Sequence, residues 1–293
     1  MVAEERAKQH HVLAERLEQF LNPNGNGNGK LFFPQPTAQN TDLFYEITPG
    51  KKLGDLILPT PVLRSCEELV EEHQRKDLLR SHNLEPRHRI LLVGPPGNGK
   101  TSLAESIAHA LFVPMVVVRY DGVIGSFLGE TATRLRKVFD HVRTRPCVLF
   151  FDEFDTLGKE RGDPHDTGEI KRVVSSLLLQ IDSLPSHVVV ATATNHPELL
   201  DRAVWRRFQL RLKLPKPSKA QVRDYLKRLD GRFDIPLSSA LPRLADHLCG
   251  VSFSELEEFG LDVVRRFALA VPNGDLKRIA RERLRFWQQM VKS

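Results

Sequence analysis

Cysteine is scarce in this chain of 293 residues: Cys66, Cys147 and Cys249 are all there is, and they lie far apart. That excludes a disulfide-stapled scaffold or a cysteine zinc site and fits a reducing compartment, so the expected location is the cytoplasm. Long apolar runs are also lacking. No stretch approaches the roughly 18 residues of a membrane-spanning helix, and no membrane partner is expected. The first twenty residues carry Glu4, Glu5, Glu15 and Glu18 without an apolar core, so no secretory leader is expected. There is no internal repeat. His10, His11, His82, His88 and His196 lack the spacing and companions of a zinc site and read as surface or capping histidines. Neither charge sign is missing, but 43 Lys and Arg against 37 Asp and Glu leave a net +6. Nucleic acid or another anionic partner therefore has to be considered.

What is present is ordered along the chain. Residues 1–21 have apolar positions at helical spacing, and alternating Asn and Gly from Asn22 to Gly29 read as a flexible linker. Residues 31–61, rich in proline and aromatics, are expected to lie irregularly on the next domain. A helix is expected from about Leu63 to Leu79. From Arg89 short β-branched runs alternate with helical patterns. Strands are expected at Ile90–Val93, Met115–Arg119, Cys147–Phe151, Val188–Ala193 and Gln209–Leu214, with helices between them. Unbroken apolar strands that alternate with helices predict a parallel five-stranded sheet in a three-layer α/β sandwich. After Pro215 only helical patterns remain. The expected division is an N-terminal segment over 1–45, an α/β domain over 46–215 and a small helical domain over 216–293.

Gly94-Pro-Pro-Gly-Asn-Gly-Lys100-Thr101 follows an expected strand and opens an expected helix. In that setting the pattern is a phosphate-binding loop. Glycines let backbone N–H groups curl round a phosphate, and the helix N-terminus adds partial positive charge. Pro96, Gly97, Asn98, Gly99, Lys100, Thr101 and Ser102 are the candidate nucleotide contacts. Lys100 suits the β- and γ-phosphates, and the Thr101 hydroxyl suits Mg²⁺. A plain glycine turn does not account for the Lys-Thr pair. Asp152 and Glu153 close the apolar strand Cys147–Phe151, at the ligand edge of a parallel sheet. Two acids there are costly without a shared cation. Asp152 is the second candidate metal residue, and Glu153 the candidate base for the attacking water.

Gly94–Thr101 together with Phe150-Phe151-Asp152-Glu153-Phe154-Asp155 resembles an AAA+ ATPase of the classical AAA family, over about Leu53 to Arg266. The resemblance implies ATP and Mg²⁺ as cofactors and a helical lid as the second domain. It implies a homo-oligomeric ring, with six subunits expected, in which arginines of one subunit reach the nucleotide of the next. Asn195, ending Ala191-Thr-Ala-Thr-Asn195, corresponds to the family's sensor of the γ-phosphate. Arg206 and Arg207, in Trp205-Arg-Arg-Phe208, correspond to its arginine fingers. Their adjacency resembles spastin, katanin and the related meiotic clade, and leaves Arg206, Arg207 or both as fingers. Gly250-Val-Ser252-Phe-Ser-Glu255-Leu256 resembles the lid element that approaches the adenosine, which makes Gly250 and Ser252 candidate contacts; Ser252 and Glu255 equally form a capping box.

Phe127-Leu128-Gly129 matches the aromatic–aliphatic–glycine pore loop of rings that thread polypeptides. Residues 159–169 are open to two readings, a second pore loop or a solvated loop. The leading reading is an ATP hydrolase that remodels, unfolds or threads protein substrates, alone or with an adaptor. Two others stand beside it: a nucleic-acid motor or loader, not favoured because the loop lacks Lys and Arg, and a nucleotide-dependent scaffold. The charge is concentrated: residues 202–232 hold 11 Lys or Arg against Asp224 and Asp230. That stretch reads as a surface facing a neighbouring subunit.

Overall fold

The computed structural model describes residues 42–123, 128–155, 167–233, 235–237, 244–270 and 275–291. The chain divides into Met1–Thr37 and Ala38–Ser293, and every described residue falls in the second unit. No described helix is long and apolar enough to cross a membrane.

Six strands form one sheet: β1 (Phe44–Ile47), β2 (Arg89–Val93), β3 (Met115–Val118), β4 (Cys147–Phe151), β5 (Val188–Thr194) and β6 (Leu210–Lys213). Their order is β1-β3-β4-β5-β2-β6. The last five pair in parallel, as expected. Met-Val-Val-Val in β3 and Cys-Val-Leu-Phe-Phe in β4 are buried throughout, because helices cover both faces. Alternate residues along each strand feed different cores. Leu91, Val116, Leu149 and Val190 pack with Leu135, Phe139 and Ile181 on one face. Ile90, Val117, Phe150 and Val189 pack with Leu69, Leu103 and Ile107 on the other.

The sixth strand is a correction. Phe44–Ile47 was expected to lie irregularly, yet it adds to the sheet edge antiparallel to β3, with Phe44 opposite Val118. It also runs across the expected division at residue 45. Glu46, an unusual strand residue, is held by Arg145 and by His141, whose Nε2 lies 3.2 Å from Glu46 Oε1. The helix expected over Leu63–Leu79 is two, α1 (Thr60–Gln74) and α2 (Lys76–Ser81), broken at Arg75.

The crossover helices are α3 (Lys100–Ala110), the short α4 (Tyr120–Val123), α5 (Leu128–Arg143), α6 (Thr167–Asp182) and α7 (Arg202–Arg207). Beyond the sheet, α8 (Lys219–Phe233), α9 (Leu244–His247), α10 (Phe253–Ala270) and α11 (Leu276–Val291) close round a third core. Val222, Leu226 and Leu229 meet Leu256, Phe259, Val263, Ala280 and Leu284 there. Asp275 starts α11 by accepting the N–H groups of Lys277 and Arg278 at 2.9 and 3.2 Å.

Candidate functional site

β5 lies between β2 and β4, so the segments leaving the carboxyl ends of these three strands converge. The glycine-rich loop leaves β2. Gly94 packs so closely on β6 that a Cβ would sit 2.1 Å from the Leu214 carbonyl oxygen. Gly97 and Gly99 have φ of +73° and +82°, a left-handed backbone that turns the loop into the start of α3. Lys100 is buried, and its Nζ donates to the carbonyls of Gly94 at 2.7 Å and Pro95 at 3.0 Å and to Asn195 Oδ1 at 2.6 Å. Burial lowers the lysine pKa, while Asp152 and Asp155 push it back up.

Thr101 Oγ1 donates to Asp152 Oδ2 at 3.0 Å, so the two candidate metal residues are brought side by side. Glu153 is exposed at the rim with φ +47°, an uncommon conformation for a residue with a side chain. Its N–H donates to Asp152 Oδ1 at 2.9 Å, and the next N–H, of Phe154, donates to Ala193 O at 2.8 Å. Strain of this kind is held where the surroundings fix it.

Asp155, to which the sequence gives no role beyond its place in the Phe150–Asp155 run, joins the site. It is buried and accepts the Thr194 hydroxyl at 3.0 Å and the Asn195 N–H at 3.3 Å. It thereby fixes the segment that presents Asn195 to Lys100. The only signal in the sequence is a third acid, two residues after Glu153, opposite a strand that ends in Thr194 and is followed by Asn195.

A cavity of about 460 Å³ opens beside the loop. Gly97, Asn98, Gly99 and Ser102 form one wall, Leu56, Ile57 and Leu58 another, and Tyr225, Leu229 and Phe253 of the helical part a third. Tyr225 and Phe253 stand with ring centroids 5.9 Å apart. The helical part is seated on the loop itself: Ser254 N donates to Gly97 O at 3.0 Å. Ser252 is buried and its Oγ closes the space beside Gly97, but Phe253 and Ser254, not Gly250 or Ser252, line the cavity. The capping box is formed, with Ser252 N donating to Glu255 Oε2 at 2.5 Å and Glu255 N to Ser252 Oγ at 3.3 Å. Gly250, with φ +89°, turns the chain before it, and its carbonyl accepts Lys216 Nζ at 2.7 Å. Pro96 is exposed at the loop's crest.

These features fit a nucleotide with its metal. The glycine loop offers N–H groups at a helix N-terminus, and Lys100 brings a partly desolvated charge to that loop. Thr101 and Asp152 supply two oxygens, which suits Mg²⁺, an ion that fills its other positions with phosphate and water. The Asn98 Nδ2 is buried with no partner among the described residues, on a residue that lines the cavity. Apolar walls and an aromatic pair suit a base.

α7 carries the two arginines. Asp201 caps it by accepting Val204 N at 2.9 Å, and Val204 and Phe208 are buried. Arg206 is exposed; Arg207 forms an ion pair with Asp182. The structure does not bring either arginine to the cavity of its own chain. Phe127 and residues 159–166 lie outside the described residues, and Leu128 and Gly129 begin the backbone of α5. His88, read as a surface or capping residue, is instead buried, with Nδ1 3.3 Å from Pro86 O. The basic stretch is exposed, with ten of its eleven Lys and Arg on the surface, and some of them have partners within the subunit. Lys219 pairs with Asp246, Arg232 with Glu257, and Arg228 donates to the Gly54 and Asp55 carbonyls.

Residues 90–216 match the family described as "ATPase family associated with various cellular activities (AAA)". An uncharacterized AAA family ATPase, y4kL of Sinorhizobium fredii, is 38% identical over 266 residues, covering 88% of this chain and 79% of that protein. A cell division cycle protein 48 homolog of Archaeoglobus fulgidus is 35% identical over 189 residues, 62% of this chain but 25% of that protein. A proteasome-associated ATPase of a Mycobacterium species is 29% identical over 259 residues, 80% of this chain and 40% of that protein. A crystal structure of the FIGL-1 AAA domain in complex with ADP shares the fold, with a TM-score of 0.66 over 86% of this chain and 91% of that one at 22% identity. With its phosphate loop, paired acids and helical part in place, the chain belongs to the AAA family of ATPases.

Proposed function

We propose that the chain is a Mg²⁺-dependent ATP hydrolase that works in the cytoplasm as a ring-shaped homo-oligomer, six subunits to a ring, and remodels or threads protein substrates. The observation that carries the hydrolytic part is the convergence of Lys100, Asn195, Thr101 and Asp152 through contacts of 2.6 and 3.0 Å. The Gly97–Ser102 backbone and Lys100 bind the phosphates. Thr101 and Asp152 hold Mg²⁺, which supplies neutralising charge at the phosphoryl oxygens when bound. Glu153, at the exposed rim, takes the proton of the attacking water, and Asn195, fixed by Asp155, orients that water. Arg206 or Arg207 of a neighbouring subunit stabilises the charge that moves onto the leaving oxygens.

The division at residues 46–215 and 216–293 serves this reading: the α/β part carries the chemistry and the helical part is a lid over the base, with Gly250 and Ser252 placing Phe253 and Ser254 at the cavity. Protein substrates are supported by the Phe127-Leu128-Gly129 pattern and by a relative whose name associates it with the proteasome. The absence of Lys and Arg from the Gly125–Glu130 segment lessens the case for nucleic acid. The test is phosphate release against protein concentration. Glu153→Gln is expected to bind ATP and not turn it over, Lys100→Ala not to bind, and wild-type specific activity to rise with concentration. Normal turnover by Glu153→Gln would overturn the base assignment.

A further inference from the structure

Two adjacent residues on a helix point about 100° apart, so Arg206 and Arg207 leave α7 in different directions. The structure separates them. Arg207 turns back to its own subunit and pairs with Asp182 Oδ2, at the end of α6. The other oxygen, Oδ1, accepts Arg89 Nη1 at 2.7 Å, from the first residue of β2. One carboxylate thus joins three elements, α6, α7 and β2, and keeps two guanidinium groups together that would otherwise repel. Both of its oxygens are used. Arg206, one residue earlier, is exposed and forms no ion pair with the described residues.

α7 has six residues, too short to hold its own direction. Its direction is set by what pins it: the Asp201 cap, the buried Val204 and Phe208, and the Arg207–Asp182 pair. To reach a neighbour's phosphate, Arg207 would have to abandon Asp182. That would unfasten the helix at the step where Arg206 needs it held. Arg206 reaches outward with no bond to break.

We infer that Arg206 is the arginine offered across the subunit interface, and that Arg207 is a positioning residue that clamps α7 through Asp182 and Arg89. This rests on the reading that arginines act between subunits. It replaces an equivalent pair by a finger and its anchor.

The test measures ATP turnover by the full chain, at concentrations where wild-type activity has reached its plateau, together with urea unfolding. Arg206→Ala is expected to lower kcat by about a thousandfold or more, as removal of an arginine finger does, with an unchanged unfolding midpoint. Arg207→Ala and Asp182→Asn are expected to match each other. Each lowers kcat about tenfold, from misplacement of Arg206, and each unfolds at lower urea. Arg207→Lys keeps the charge on Asp182 and recovers most of both, whereas Arg206→Lys does not recover turnover. Asp182→Glu guards against a loss of folding in Asp182→Asn.

Faster turnover in Asp182→Asn would overturn the inference, since it would show Arg207 to be a finger that Asp182 restrains. So would an Arg207→Ala enzyme as inactive as Arg206→Ala with normal stability. Mixing tests the underlying reading separately. Arg206→Ala subunits mixed with Glu153→Gln subunits regain activity if arginines act between subunits. If mixing restores nothing while both variants still assemble, that reading fails, whatever Arg207 does.

Discussion

The rings of Phe154 and Phe208 meet edge to face, with centroids 6.2 Å apart and planes at 89°. Phe154 follows Glu153, and Phe208 follows Arg207. One buried contact therefore fastens the end of the acid-bearing strand to the end of the arginine-bearing helix. The chain of rings continues inward, since Phe151 meets Phe154 at 6.3 Å and Phe139 at 6.2 Å. The base and the arginines, which serve different nucleotides in the proposed ring, are thereby packed on one core.

Phe208→Ala is expected to destabilise the α/β part by about 3–5 kcal/mol, the cost of a large cavity in a packed core. Phe208→Leu should cost less, because it keeps most of the volume. Urea unfolding checks both. Nucleotide affinity of Phe208→Leu, measured by calorimetry with ADP, should stay near wild type, because Phe208 touches neither the loop nor the cavity wall. Its turnover should fall.

Thr194→Val removes the hydroxyl that Asp155 accepts at 3.0 Å. The buried carboxylate keeps the Asn195 N–H but loses a donor. A buried acceptor left short of partners costs about 1–3 kcal/mol. The expected result is a kcat lowered by roughly tenfold with little change in KM for ATP, because Asn195 is displaced and the phosphate loop is not. Steady-state kinetics separate the two.

The three thiols should react in two classes. Burial pushes the Cys66 and Cys147 thiols up to about 12, so almost no thiolate exists at pH 8. Cys249 is exposed. A thiol reagent at pH 8 is expected to label Cys249 quickly and the other two only after unfolding. Mass spectrometry of the labelled protein reads the sites, and fast labelling of Cys147 would contradict the placement of β4.

The capping box at α10 predicts an acid limb. The Ser252 N–H donated to Glu255 holds its carboxyl below the usual range. A folded pKa below the unfolded one contributes stability that is present above the unfolded value, about 4.3, and lost as pH falls through the folded value. Glu255→Gln should therefore lower stability by about 1 kcal/mol at neutral pH and by progressively less below pH 4. Thermal unfolding from pH 3 to 7 checks the convergence of the two curves.

Much of this was legible in the sequence, for physical reasons that differ from element to element. β2 to β5 read clearly because strands buried on both faces must be apolar along their length. The phosphate loop read clearly because glycine, lysine and threonine each answer a different demand of one ligand. What did not read clearly depends on partners far away in the chain. β1 is four residues long and contains Glu46, made tolerable by Arg145 and His141 almost a hundred residues on. The break at Arg75 leaves no proline or glycine as a mark. Asp155 looks like any acid after a strand until Thr194 and Asn195 fold over it. The basic run from Arg202 to Arg232 is exposed as its charge suggests, but its partners Asp182, Asp246, Glu257 and the Gly54 and Asp55 carbonyls come from other elements and leave no local mark.

Gly94 has no room for a side chain because the carbonyl of Leu214 occupies that space. Leu214 is also where the chain leaves the sheet for the helical part. In the proposed ATPase, the loop that meets the phosphates and the joint that leads to the lid are thus in backbone contact. A helical part that turned about that joint in the proposed cycle would have its pivot beside the phosphate loop. The single hydrogen that distinguishes glycine from alanine is what lets the two backbones come this close.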